Sequence, residues 1–561
     1  MEAVTGRQWH HILMGLGATA LLLAGVSTSV PRVSVSGARQ EGRTFYLSPE
    51  GDDDADGRTP QTAWRTLRRA DTVRLEPGDH LLLKGGARFS GTLTIGQDDA
   101  GNARMPVLVE SYGEGRAVIA AAGTHGIKVN NTSGIVIRNL ILAGDTTSYR
   151  SQDGIAFISD LPRKHRLPYV RVTGVDVSGF RNGIRLHSGA EASGFQDVVI
   201  NDCAVHDNKD AGLISDGPPF NAGAPAYAHE DVTVSKVVAF RNDGDPQASD
   251  RNTGSGIVLG SVHRGVVRGS VAYDNGRSSA PAALEGPEGI WTYDSTRMIL
   301  ERNIAYGNHT GSQVDGGGFD LDNNVSYSLV QYNLSYGNDG AGFLAFSAAS
   351  NSAHTNNAIR YNISQNNSRK LQDYGGIVVF GSRITNLAIY QNTVLAATEG
   401  SVRAPALRLQ PSLGAVSVRN NVFLTDGSPV VAAHKYFDTS EVVMQGNDYH
   451  SPTGFNLQWG ERWYTDLSAW RSESRQEMAG SRATGTGDDP CLVEVPLPTS
   501  GSDVRDSGPT RGALASRCAP ALAGAVVDLK ALGIDPGPVD YLGTPLTGSP
   551  GAGAVPAAPR A

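Results

Sequence analysis

Gly289-Ile290-Trp291-Thr292, Gly318-Phe319-Asp320-Leu321, Gly342-Phe343-Leu344-Ala345 and Gly376-Ile377-Val378-Val379 are four versions of one phrase, a glycine followed by a short apolar-rich run. Upstream the phrase recurs as Gly126-Ile127-Lys128-Val129, Gly154-Ile155-Ala156-Phe157, Gly183-Ile184-Arg185-Leu186 and Gly256-Ile257-Val258-Leu259. A second element, apolar residues ending in asparagine, accompanies it at Asn139, Asn303, Asn333, Asn362, Asn392 and Asn421. From Asn303 onward these asparagines return at about 30 residues, inside the range of a solenoid coil. A single coil cannot bury its apolar face, so coils of this kind stack, each adding short strands to long parallel sheets. Asparagine suits the tight turns because it tolerates left-handed backbone angles, and stacked side-chain amides bond to one another. The fold expected is an all-β, right-handed parallel β-helix of about ten or eleven coils, with Ile127, Ile155, Ile184, Ile257, Ile290, Phe319 and Phe343 stacked inside.

Composition agrees with one elongated repeat architecture. The 561 residues exceed what an ordinary single core accommodates, and 68 glycines with only 19% charged residues suit many strands joined by tight turns. The net charge of −8 excludes a nucleic-acid binder, which needs a dense basic face. Arg7 and His10-His11 precede an apolar run from Ile12 to Val26, short for a spanning helix and the right length for a signal-peptide core. Residues 1–38 therefore read as a signal peptide and linker, 39–460 as the β-helix, and 461–561 as a C-terminal cap with a Pro/Gly/Ala-rich tail. A secreted or cell-surface monomer with no stable membrane partner is expected, an uncleaved anchor being the alternative. In an oxidising compartment Cys491 and Cys518 are placed to pair, whereas Cys203 reads as a buried small side chain. Trp64, Leu67 and Ala70 have helical spacing, so the segment Ala63–Val73 is expected to cap the N-terminal opening. Ala521–Leu532 is the one helical candidate in the tail.

The opening Phe45-Tyr46-Leu47-Ser48-Pro49-Glu50-Gly51-Asp52 with Pro77-Gly78-Asp79 resembles the start of exported right-handed parallel β-helix proteins of the pectate-lyase-like superfamily. Trp463-Tyr464-Thr465-Asp466-Leu467 with Asp489-Pro490, and Asp540-Tyr541-Leu542-Gly543 with Gly553-Ala554, resemble closing segments of that group. The resemblance implies an extracellular polysaccharide as substrate and partner, cleaved by a lyase or a glycoside hydrolase. It specifies the scaffold and not the reaction.

Aligning the coils on their glycines turns the first and third residues after each glycine inward and the second and fourth outward. The outer face then reads Arg185 and His187, Ile214 and Asp216, Val258 and Gly260, Trp291 and Tyr293, Asp320 and Asp322, Leu344 and Phe346, Val378 and Phe380, Arg408 and Gln410. Two acids flanked by aromatic rungs suit a sugar groove. Asp320 and Asp322, roughly 6.6 Å apart at Cα, match the carboxyl pair of an inverting glycosidase, and Asp315 in the preceding loop is a third candidate. Trp291, Tyr293, Phe346, His187, Arg185 and Glu288 are the substrate-binding candidates. Glu285 and Glu288, with the three aspartates, would equally suit Ca²⁺, a hard cation that takes several oxygens. A lyase base would come from Tyr293, His187, Lys209, His263 or Arg264. Against these readings, Asp322-Asn323-Asn324 also fits a plain turn, and His187 with Asp216 fits a surface ion pair. The loops Asn275–Pro287, Asn308–Gly316 and Asn366–Tyr374 fall at one turn of successive coils and are expected to form a wall. A non-catalytic glycan-binding surface protein or adhesin, and a C5-epimerase, are the alternatives to an enzyme that cleaves polysaccharide.

Overall fold

Three parallel sheets of 14, 14 and 13 strands run the length of a computed structural model that describes residues 42–145, 152–348, 354–397, 400–496, 512–518, 525–546 and 551–555. The export and linker readings fall on residues outside these. Each coil gives one strand to each sheet, so neighbours in a sheet are one coil apart in sequence, except the antiparallel pair Leu457–Trp459 and Arg462–Tyr464 that ends one of them. Ile127, Ile155, Ile184, Ile257, Ile290, Phe319 and Phe343 stack in register along one sheet, each fully enclosed. Burying such a side chain contributes about 1.5–3 kcal/mol, and the stack repeats that gain coil after coil.

The coil count is about 13 and not ten or eleven. The additional coils include Val431–Ala433 and Leu457–Trp459 at the C-terminal end, which extend the same sheet without the glycine phrase.

At one turn Asn303, Asn333, Asn362, Asn392, Asn421 and Asn447 form a buried ladder. Each side-chain amide donates to the next asparagine's Oδ1 and to a carbonyl of the coil before, as Asn333 Nδ2 does to Asn362 Oδ1 (3.0 Å) and Leu300 O (2.8 Å). Asn139 is not part of it. It sits exposed at the preceding position with φ 55°, and Leu140, Val175, Cys203 and Val237 fill the ladder site in the early coils. A second ladder, Asn208, Asn242, Asn275, Asn308, Asn338 and Asn367, closes the following turn.

The N-terminal cap is less helical than its spacing predicts. Only Leu67–Ala70 (α1) is helix, begun by the Thr66 side chain, while Trp64 is extended and bridges Leu47. Trp64, Leu67 and Ala70 are nonetheless all buried over the first coil. At the far end Leu467–Ser474 (α2) lays Trp470 on Trp459 and Tyr449. There buried Glu477 accepts from Asn447 and ends the first ladder. Cys491 and Cys518 are disulfide-bonded, with Cα atoms 5.5 Å apart. The tail does not simply close the end. Leu514, Leu529 and Tyr541 pack back along the flank of the solenoid on Tyr332, Tyr361 and Tyr390. Of the expected tail helix, residues 521–524 lie outside the described residues and 525–532 form turns and irregular chain. No helix among the described residues is long and apolar enough to cross a membrane.

Seven successive strands of one sheet carry the candidate site: β1 (Asn182–Ser188), β2 (Ala211–Asp216), β3 (Ser255–Gly260), β4 (Glu288–Tyr293), β5 (Gly317–Leu321), β6 (Phe343–Ser347) and β7 (Ile377–Gly381). Their inner residues belong to the core. Many of their outer residues lie on the floor of a groove.

Candidate active site

Register writes the outer face of this sheet, part of which is the groove floor, as three rows. The central row is Arg185, Ile214, Val258, Trp291, Asp320, Leu344 and Val378, paired strand to strand from β1 to β7. Beside it, Asn182 pairs with Ala211, Ala211 with Ser255, and Glu288 with Gly317. On the other side run His187 and Asp216, Gly260 and Tyr293, and Phe346 and Phe380. Two glycines make room. A Cβ on Gly317 would lie 2.5 Å from the Glu288 carboxylate, and one on Gly260 would lie 2.2 Å from the Tyr293 ring.

Loops entering the strands build one wall. Gly316 N–H donates to Pro287 O, Gly340 N–H to Gly316 O, and the Lys370 ammonium to the carbonyls of Thr310 and Ser312, so successive loops are bonded to one another. Leu284 stands on this wall, 90% exposed. Pro219, Phe220, Asn323 and Asn324, from segments leaving the strands, line the other side. Between them lies a groove of about 770 Å³ lined by Arg185, Glu288, Trp291, Tyr293, Asp315, Asp320, Asp322 and Phe346 among others.

Eight of the nine site residues expected from sequence thus share this groove. His187 does not line it. Instead its Nδ1 contacts Asp216, which also accepts two bonds from Arg185 (2.7 and 3.2 Å) and does line the groove. Although burial pushes Asp216 up, His187 and Arg185 hold it below the usual carboxylate range. Of the other lyase-base candidates, Tyr293 lines the groove and the remaining three lie elsewhere. Lys209 pairs with Asp245, while His263 and Arg264 sit on another sheet beside Glu230.

Trp291 is not an open stacking platform. Its ring packs with Ala211 and Val258, and its Nε1–H donates to Ser255 Oγ at 3.1 Å. It is the apolar floor next to Asp320, while Phe346, paired with Phe380 at 5.3 Å, is more open.

Four carboxyls surround the middle of the groove, and their environments differ. Asp320 is 4% exposed and Glu288 2% exposed; Asp320 Oδ1 and both Glu288 carboxyl oxygens meet no hydrogen-bond partner among the described residues. Burial, reinforced by the other acids, pushes both pKa values well above the carboxylate range. Asp322 follows the strand, and its Oδ1 accepts from Asn323 N–H at 2.6 Å, so the turn reading is correct as far as it goes. Burial, with Asp315, Glu285 and Asp294 nearby, still raises it to about 8. Asp315 precedes the strand on the loop wall. It accepts from Gly286 N–H (2.7 Å) and the Tyr374 hydroxyl (3.0 Å), and these two donors limit the rise that burial causes to about 6. Among the described residues, no three His, Cys, Asp or Glu side chains converge closely enough to hold a metal ion, which removes the support for a Ca²⁺ cage.

The family described as "Right handed beta helix region" matches residues 249–423, which contain β3 to β7. The fold is that of a right-handed parallel β-helix. The β-helix is similar to a lacto-N-biosidase of Bifidobacterium longum subsp. longum, at 23% identity over 76% of this chain and 32% of that protein. It thus spans about a third of the length of that curated relative. Among solved structures it is similar to the lacto-N-biosidase of Eubacterium ramulus, with 16% identity, 69% of this chain and 65% of that chain covered, and a TM-score of 0.48. It is also similar to the A-module of a mannuronan C-5 epimerase from Azotobacter vinelandii, with 16% identity, 66% and 90% covered, and a TM-score of 0.45. These structural likenesses concern the fold alone.

Proposed function

We propose that this β-helix is an exported carbohydrate-active enzyme, a glycoside hydrolase that cleaves a neutral polysaccharide or oligosaccharide in the groove over β4 to β6. One observation carries the reading: carboxyls lining a single groove have pKa values pushed apart by their surroundings, about 6 for Asp315 and about 8 for Asp322. At neutral pH the first is ionised and the second protonated, the division of labour that glycosidic cleavage requires. Asp322 donates the proton to the leaving oxygen. Asp315, steadied by Gly286 N–H and Tyr374, acts at the anomeric centre as base toward water or as nucleophile. Asp320 and Glu288, uncharged on the floor, supply donors for sugar hydroxyls without adding charge, and Trp291 and Phe346 offer apolar contact to the ring.

Uronate chemistry fits less well. The groove's cations Arg181, Arg185 and Arg251 are each ion-paired with Asp210 or Asp216, and burial raises the Tyr293 phenol further from a useful base. The likeness to a protein named lacto-N-biosidase supports a carbohydrate-active reading without naming the sugar. The test is a panel of neutral and uronate glycans, with and without chelator. Reducing ends from a neutral glycan, with no unsaturated-uronate absorbance, are expected from the wild type and lost in Asp315→Asn. Unsaturated product would mean a lyase, inverted uronate an epimerase, and binding without turnover an adhesin.

A further inference from the structure

The groove continues well past the carboxyls, to a polar end on β1 that the cleavage chemistry does not use. Asn182 lines the groove there at 4% exposure, and its Nδ2 donates to buried Asp153 Oδ1 at 2.7 Å. That bond sets the amide's orientation and leaves Asn182 Oδ1 buried with no partner among the described residues. Arg185, on the same strand, is anchored through Nε and Nη2 to Asp216, whereas its Nη1 has only a 4.0 Å approach to Asp153. Arg181 and Arg251 both reach buried Asp210 through Nε, at 2.5 and 3.3 Å, and all three line the groove. An acceptor lacking a donor thus stands beside guanidinium groups held in place by carboxylates. A sugar hydroxyl, which donates and accepts at once, satisfies both, and paired charges give no preference for an anion.

Between the two ends the floor is small and apolar: Ala211, Ile214 and Val258. Arg185 and Asp320 are four strands apart in the central row, and at about 4.8 Å per strand that is roughly 19 Å, the span of several linked sugar rings. We propose that Asn182, Arg185 and Arg181 form a distal subsite that grips a neutral sugar several rings away from the bond cleaved, so that the enzyme selects for chain length. This rests on the hydrolase reading above.

The test uses oligosaccharides of two to six units prepared from whichever panel glycan the wild type degrades, with kcat and KM measured for each. Wild-type kcat/KM should rise at least tenfold with length. Asn182→Leu and Arg181→Met should each remove most of that rise through a higher KM for the long substrates, with kcat held. Arg181 is half-exposed, so its variant keeps the test valid even if the buried Asn182 variant misfolds. Wild-type rates that ignore length, or variants that keep the full rise, would overturn the subsite and leave the hydrolase standing. No turnover of any glycan would overturn both.

Discussion

Glu288, Asp315, Asp320 and Asp322, four of the carboxyls that line the groove, cannot all ionise at neutral pH, and their local partners decide which do. Asp315 has two donors and titrates near 6; Asp322 has one and titrates near 8. If Asp315 must be charged and Asp322 protonated, activity should peak between about pH 6 and 8 and fall on both sides. Asp315→Asn and Asp322→Asn should each lose about 10²–10⁴ in kcat while remaining folded, with Asp322→Asn also abolishing the alkaline limb of the profile. Asp320 leads to a stability prediction of definite sign. Its folded pKa is raised, so the native state keeps a proton that the unfolded chain releases, and stability falls as pH climbs above the ordinary carboxylate range. Asp320→Asn removes that loss. Thermal unfolding should therefore show a gain in Tm that is larger at pH 8 than at pH 5, and an equal shift at both would contradict the assignment.

Strands and loops set these environments, and the strands were the legible part. Because Cβ atoms alternate across a strand, aligning glycines was enough to bring Trp291, Asp320 and Leu344 into one row. Three things were hidden. The last coils, at Val431–Ala433 and Leu457–Trp459, lack the glycine phrase; Asn182 and Asp210 precede the aligned strand residues; and the depth of the floor depends on loop side chains, although the recurrence of the loops at one turn does signal a wall. The second asparagine ladder did leave a trace, since Asn308, Asn338 and Asn367 each lie five positions after a member of the first. At this scale the Tyr374 loop has a test. Tyr374→Phe deletes a bond that lowers the Asp315 pKa, so the acid limb of the pH profile should move to higher pH while the alkaline limb stays. In the ladder, Asn362→Ala strands the amides of Asn333 and should cost about 1–3 kcal/mol in denaturant unfolding, with the pH profile unchanged.

At the largest scale, the described residues from 42 onward form a β-helix with a groove along one sheet, and the described parts of the tail pack along another flank. Parallel pairing over about 13 coils fixes the rungs, so side chains far apart in sequence hold a constant spacing along the groove, as a linear glycan requires. The central claim is that this groove is where a glycan is cleaved. Its most direct test is a crystal structure of the Asp322→Asn variant soaked with an oligosaccharide substrate. The account predicts sugar density running along the floor from Arg185 past Trp291 to Phe346, with one glycosidic oxygen between residues 315 and 322. Sugar bound on another face, or lying in the groove with its linkages away from both positions, would contradict it.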